Sequence, residues 1–445
     1  MKVGNSFIAK FAWTAGTFGG SALLRFALNI LLSRLLTPDI MGTMVVVNAV
    51  RLGIELLTDV GIEQNIVHHG DGAEREFRDT AWTLQVLRGA LLSAVFVASA
   101  PVFAQIYDID VRVFLLAACS PIIGALHSTA IFVLVKNLEV RRRNLFELSA
   151  EALAFVVSVG LAYWLGSVWA PAFALVAAVA IRTALSYALP DPVQHFRLDR
   201  AVARRIVVFG KWIALTSLVM YAASYLDRLY LGTVTPLAYL GIFGIARAIS
   251  DLPANLARRM SYQILFPAFA ASAGDRDELR GQIESTRRIF VVGAVCALCL
   301  ASACSDLFIN AVYDKRYAEA GWMLSILLIG GVFSVLSNLN EALILGAGRP
   351  SFASLTNILR LATLAVALPL GFGHAGFAGA VIAIALTEVL QCLYVAGALV
   401  RLRTGYWGQD GLALGAGSLV LCATLAVRFL SDNGSPFSTI AWTFR

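Results

Sequence analysis

The stretch LLSRLLTPDIMGTMVVVNAVRLGIELLTDVGIEQNIV, residues 31–67, holds the end of one apolar helix, a Thr-Pro turn and a second apolar helix with Arg51 near its middle. A guanidinium at the bilayer centre costs roughly 2.5–3.5 kcal/mol on insertion scales, so Arg51 is expected to face a polar interior rather than lipid. Glu55 stands one helical turn further on, on the same face. A weaker echo, LGTVTPLAYLGIFGIARAISDLP at 231–253, repeats the turn as Thr235-Pro236 and then sets Arg247 one turn before Asp251. Asn29 and Asp227 stand at equal distances before the two prolines, whereas Arg247 follows its proline two residues sooner than Arg51 does. The chain therefore reads as a duplication of approximate register, a common plan for transporters with a site near the bilayer midplane.

Composition sets the class. With 59% hydrophobic residues, 14% charged residues and a mean hydropathy of +0.76, the chain lies far from soluble domains, of which about a quarter is charged. Apolar windows of membrane-spanning length recur along it. Spans are expected near 11–36, 40–62, 81–106, 112–135, 147–166, 168–189, 206–233, 238–262, 289–312, 322–346, 351–371, 376–400 and 411–429. The short alternating segments of outer-membrane barrels are absent. The first apolar segment is too long for a signal-peptide core and is expected to stay as a span.

The amino terminus and every second connection carry most of the bases, for example Arg75, Arg78, Arg141, Arg142, Arg143, Arg204, Arg205, Arg287 and Arg288. The opposite connections and the tail hold only Arg34, Arg112, Lys315, Arg316, Arg428 and Arg445. This bias places the amino terminus in the cytoplasm, and it accounts for the net charge of +7 without nucleic acid. Residues 190–205 read as a linker between the halves followed by an interfacial helix, and 274–288 as a surface helix; solvated tethers are the plainer alternative for both. The expected division is an N-terminal lobe at 1–190, a linker at 191–205, a C-terminal lobe at 206–402, and an extra helix with a tail at 403–445. Pro101, Pro121 and Pro253 should kink their helices, and Gly16 with Gly20 gives the first helix a GxxxG face for close packing. Six cysteines, Cys119, Cys296, Cys299, Cys304, Cys392 and Cys422, read as small buried residues rather than disulfide partners.

Six arginines lie within expected spans. Arg88 and Arg228 sit near helix ends, where a long side chain can snorkel to headgroups. Arg25, Arg51, Arg247 and Arg360 lie nearer span centres and are expected to line an interior cavity; the alternative is private pairing with Glu55, Asp251 or Glu388 that locks helices together. Several guanidiniums facing water make an anion site, and the planar fork suits phosphate or carboxylate. The acids Glu55, Asp59, Asp227, Asp251, Glu341 and Glu388 admit proton or sodium coupling. Glu388, with no base within a turn, is the first coupling candidate, followed by Glu55 and Asp251. The histidines lack metal-ligand spacing, and no P-loop, Gly-x-Ser-x-Gly or dinucleotide fingerprint occurs, so no metal, cofactor or catalytic residue is expected.

The region 34–69, with Arg-x-Leu-Thr-Pro, a spaced Gly and Leu57-Thr58-Asp59-Val60-Gly61, resembles Wzx-type polysaccharide flippases of the multidrug/oligosaccharidyl-lipid/polysaccharide exporter superfamily. The resemblance implies an all-α polytopic membrane protein with two pseudo-symmetric six-helix lobes around a central cationic cavity. It implies transport of undecaprenyl-pyrophosphate-linked oligosaccharide to the outer leaflet of the bacterial inner membrane, with a polymerase and other polysaccharide-assembly proteins as partners. Arg25, Arg51 and Arg247 fill the places of cavity arginines in that family. The segment after Gly411 departs from its usual helix number. Two rivals stand beside this reading. A cation-coupled drug exporter would have an acidic, aromatic cavity, and a membrane polymerase or ligase would need a larger outer loop than any found here.

Overall fold

In the computed structural model, residues 2–261, 277–346, 349–402, 405–431 and 436 are described, and all regular structure among them is helical. The chain divides into two compact units, Met1–Ala222 with Arg228–Gly241, and Ala223–Asp227 with Ile242–Arg445. Among the described residues 8 helices are long and apolar enough to cross a membrane, or up to 10 counting two bent pairs. Many of their large apolar side chains point outward, among them Leu91, Val97, Val156, Leu419 and Phe429. Such surfaces would aggregate in water and are at rest in hydrocarbon.

Unit 1 begins with α1 (Lys2–Leu35), α2 (Pro38–Leu56) and α3 (Ile62–His68). Thr37 is extended and Pro38 occupies the first turn of α2, as expected where the residue before proline is driven out of the helical region and the missing N–H costs no bond. The expected span at 40–62 stops early, at Leu56. Asp59 Oδ1 accepts the Gly61 N–H at 3.1 Å, and Gly61 takes a left-handed φ of 59° that opens α3.

The unit continues with α4 (Arg75–Tyr107), α5 (Val111–Ala117), α6 (Cys119–Ala125), α7 (Ala130–Lys136), α8 (Val140–Leu165), α9 (Trp169–Ser186) and most of α10 (Arg200–Val234). The span expected at 112–135 is broken, with a 57° bend between 111–125 and Ala130–Lys136. Pro121 has no N–H for the carbonyl of Ala117, which accepts from Ser120 Oγ at 2.7 Å instead. The sharp bend lies further on, where Gln85 of α4 reaches across and donates to Ala125 O at 2.8 Å and His127 O at 3.1 Å.

Residues 190–199 form a strap rather than a free tether. Backbone N–H groups of His195, Arg197 and Asp199 donate to Asp79 Oδ1 (3.0 Å), Thr83 Oγ1 (3.0 Å) and Thr80 Oγ1 (3.2 Å) of α4. The basic stretch that follows is the start of α10, with Asp199 as its N-cap. The N–H groups of Val202 and Ala201 hold the Asp199 carboxyl below its usual range.

The close glycine packing is not where the GxxxG pattern put it. Gly16 has open space around it and Gly20 only an ordinary contact with Leu148 of α8, which meets α1 at side-chain distance. The tight crossing joins the two Thr-Pro starts. A Cβ on Gly42 would fall 1.8 Å from Leu237 O, and one on Gly241 would fall 2.1 Å from Pro38 O. Gly42→Ala is therefore expected to destabilise the protein by about 1–3 kcal/mol, and Gly16→Ala to leave it unchanged. Thermal unfolding of both variants in detergent checks this; equal melting would show that the crossing yields freely.

Unit 2 contains α11 (Leu237–Met260) from Ile242 onward, α12 (Asp277–Ala303), α13 (Ser305–Val312), α14 (Ala320–Gly346), α15 (Pro350–Leu402) and α16 (Trp407–Leu430). Of the surface helix expected at 274–288, the part from Asp277 is the beginning of α12, and 274–276 lies outside the described residues. The span expected at 289–312 bends by 66° between α12 and α13. α15 consists of two arms joined at Ala375 and Gly376, whose φ of 57° reverses the chain. α16 has membrane-spanning length and packs along α12. Of the cysteines, Cys299 is buried, whereas Cys119 and Cys422 are exposed on helix surfaces.

Candidate functional site

The apolar positions Val46, Val47, Val50 and Ile54 of α2 are buried. That periodicity turns Asn48, Arg51 and Glu55 onto another face of the helix. Arg51 Nη1 donates to Glu55 Oε1 at 2.6 Å, and its Nε and Nη2 donate to Asn48 Oδ1 at 3.3 and 3.0 Å. Each terminal nitrogen carries a second N–H, so the guanidinium is fixed in place with donors in reserve.

Arg88 of α4 does not snorkel to a headgroup. It is half-buried; its Nη2 donates to Glu55 O and its Nε to Thr58 Oγ1 at 3.2 Å. The guanidinium thereby satisfies the open carbonyl end of α2, where positive charge is favourable. Arg51 and Arg88 line one cavity of about 440 Å³ within unit 1, together with Glu55, Gln85, His127 and Arg182. Arg182 is itself held by Glu147 at 2.6 Å. Asp59, also on the wall, accepts from Ser217 Oγ at 3.3 Å. This wall offers both donors and carboxylates to a polar guest.

Arg25 lies elsewhere in unit 1, 3.5 Å from Glu151 and with more than half of its side chain exposed. In unit 2, Arg247 Nε stands 3.2 Å from Asp227 Oδ2 and 3.5 Å from Asp251 Oδ1. Arg360 Nη2 donates to Glu388 Oε1 at 2.5 Å across the two arms of α15. Glu388 thus has a base beside it after all, one brought from 28 residues away by the chain reversal. Arg88, Arg182, Gln85 and His127 line the cavity without being legible as cavity residues in the sequence. Their only signal was a polar side chain within an apolar run.

The fold is that of a multi-pass helical membrane protein. Its structure superimposes on the lipid II flippase MurJ in an inward closed conformation with a TM-score of 0.72, covering 94% of this chain and 92% of MurJ at 11% identity. The chain belongs to the polysaccharide biosynthesis protein family, whose match spans residues 31–321. It is 24% identical over 304 residues to the teichuronic acid biosynthesis protein TuaB of Bacillus subtilis strain 168, covering 67% of this chain and 62% of TuaB. The chain thus spans less than two thirds of TuaB. It is 21% identical over 346 residues to the lipopolysaccharide biosynthesis protein WzxC of Escherichia coli strain K12, covering 76% of this chain and 70% of WzxC.

Proposed function

We propose that this protein is a flippase carrying undecaprenyl-pyrophosphate-linked oligosaccharide across the bacterial inner membrane, with its amino terminus in the cytoplasm and no catalytic step of its own. Its lobes are 1–190 and 206–402, joined by 191–205, with a further helix in 403–445. Arg25, Arg51, Arg247 and Arg360 bind the anionic headgroup. Glu55, Asp251 and Glu388 set the local charge and couple the cycle to protons or sodium. Polymerase and other polysaccharide-assembly proteins are its neighbours. The observation that carries this reading is the guanidinium-lined cavity at Arg51 and Arg88, in a chain of a polysaccharide-biosynthesis family. Guanidiniums kept inside a membrane fold are costly and serve where an anion must enter.

Reconstitution into liposomes with a labelled lipid-linked oligosaccharide tests it. Label should change leaflet while the glycan keeps its length; lengthening would indicate a polymerase. The transfer should also follow membrane potential. A pyrophosphate diester carries about two negative charges, and moving each outward across the full field of an inside-negative membrane releases roughly 2.3 kcal/mol per 100 mV. Potassium with valinomycin can impose either sign. Inside-negative potential is expected to speed outward transfer and the reverse to slow it; rates indifferent to both would remove the anion-cavity mechanism.

A further inference from the structure

The cavity of unit 1 is balanced in charge, with Arg51, Arg88 and Arg182 on its wall against Glu55, Asp59 and Glu63. Most of these groups already have a partner. Arg51 holds Glu55 and Arg182 holds Glu147, each at 2.6 Å, and Arg143 stands 3.4 Å from Glu63. Asp59 accepts from Ser217 Oγ at 3.3 Å and from the Gly61 N–H at 3.1 Å. The transport reading assigns a phosphate to Arg51. A second anion on the rest of this wall would meet carboxylates as often as guanidiniums, which disfavours it.

Hydrogen-bonding capacity is nevertheless left over on both sides. Arg88 directs Nε to Thr58 Oγ1 and Nη2 to Glu55 O, and its Nη1 donates to nothing among the described residues. Gln85 is buried, and its amide nitrogen donates to Ala125 O and His127 O, which fixes the direction of the amide. Its Oε1 and Glu55 Oε2 accept from no donor among the described residues, and neither is sealed by packing. Between these polar groups Leu92, Pro121, Phe132 and Val179 supply apolar surface. A guest that suits this wall donates and accepts at many points and is apolar in between. A sugar ring has that form, with hydroxyls on its rim, each both donor and acceptor, and C–H groups on its faces. The volume of about 440 Å³ lies within the range of about 300–1,000 Å³ found for small-molecule sites.

We propose that this cavity is a sugar subsite within unit 1. Arg88 Nη1 and Arg182 donate to sugar hydroxyls, Gln85 Oε1 and Glu55 Oε2 accept from them, and Phe132 packs on a ring face. No covalent bond changes. The inference rests on the transport reading only for the source of the sugar, which is the residue bonded to the phosphate at Arg51; sugar binding itself stands on the wall.

The full-length protein in lipid nanodiscs, free of glycoside detergents, serves for the test. The probes are the methyl glycosides of glucose, galactose and N-acetylglucosamine, which carry neither phosphate nor lipid. Saturation-transfer NMR should show magnetisation passing from the protein to the ring protons of at least one of them. Val179→Trp, which fills the cavity from α9, should weaken that binding at least tenfold with melting unchanged. Arg182→Gln removes a side chain that is more than half exposed, which spares the packing. It should weaken binding by about 3- to 10-fold, the loss of one hydrogen bond. In the unmutated protein, a diazirine derivative of the bound glycoside should attach to peptides containing 85–92 or 179–183. Absence of transfer to every glycoside overturns the proposal, as do attachment confined to other segments and binding that both variants leave intact. Binding of glycerophosphoethanolamine in place of every glycoside would make this a zwitterion site and overturn it equally. None of these measurements uses a transported lipid. Glycoside binding without leaflet transfer would keep the subsite and remove the transport reading, and transfer without glycoside binding would do the opposite.

Discussion

Arg51→Ala is expected to reduce leaflet transfer of lipid-linked oligosaccharide by about 10- to 100-fold while the protein remains in the membrane in normal amount. The magnitude follows from hydrogen bonds to a charged group, which contribute about 1.5–3 kcal/mol, where about 1.4 kcal/mol is a factor of ten. Arg51→Lys should recover only part of the rate, because an ammonium keeps the charge and loses the fork. The structure raises one competing explanation, since the same guanidinium holds Glu55 at 2.6 Å. A purely structural partnership would be relieved by removing both charges. The double variant Arg51→Ala with Glu55→Gln should therefore stay defective if Arg51 meets the pyrophosphate. Recovery in the double variant, or full transport by Arg51→Ala alone, would withdraw the substrate role.

The second large effect concerns stability and falls on two arginines that the sequence presented as loop charges. Arg287 of α12 is fully buried, 2.7 Å from Asp410 Oδ1 at the start of α16, and it also donates to Gln409 Oε1 at 3.0 Å and Asn340 Oδ1 at 2.6 Å. At the far end of α16, Arg428 forks onto Asp306 Oδ1 and Oδ2 of α13 at 2.6 and 2.7 Å. The base belongs to α12 at one end and to α16 at the other, so α16 is tied into unit 2 by two ion pairs of opposite sense. Removing one partner of a buried pair leaves an uncompensated charge and costs about 3–5 kcal/mol. Arg287→Met is expected to lose this much in thermal unfolding. The double variant Arg287→Met with Asp410→Leu should recover most of it, since apolar replacement of both partners is often neutral. Single and double variants melting together with the parent protein would mean that α16 is held by apolar packing alone.

How far residues can be paired from the sequence depends on their separation. The pairs Arg51–Glu55 and Arg247–Asp251 are one turn apart, and helical periodicity alone puts both members on one face. Arg360–Glu388 is 28 residues apart and depends on the left-handed Gly376 that folds α15 back on itself. Arg287–Asp410, at 123 residues, depends on which helices become neighbours. Arg88 shows the same limit within unit 1. Its position near a helix end suggested headgroups, and only the placement of α4 beside the end of α2 gave it the Glu55 carbonyl.

The sequence by itself determined the membrane class, the run of apolar helices and the starts of α2 and α11. These depend on transfer free energy and on the fixed φ of proline, which act through neighbouring residues only. Tertiary structure alone decided where the spans at 112–135 and 289–312 break and which carboxylate each buried arginine meets. A broken helix survives in a membrane only where other side chains take up its freed backbone groups, as Gln85 does for Ala125 and His127. Buried charges likewise settle according to which helices pack together.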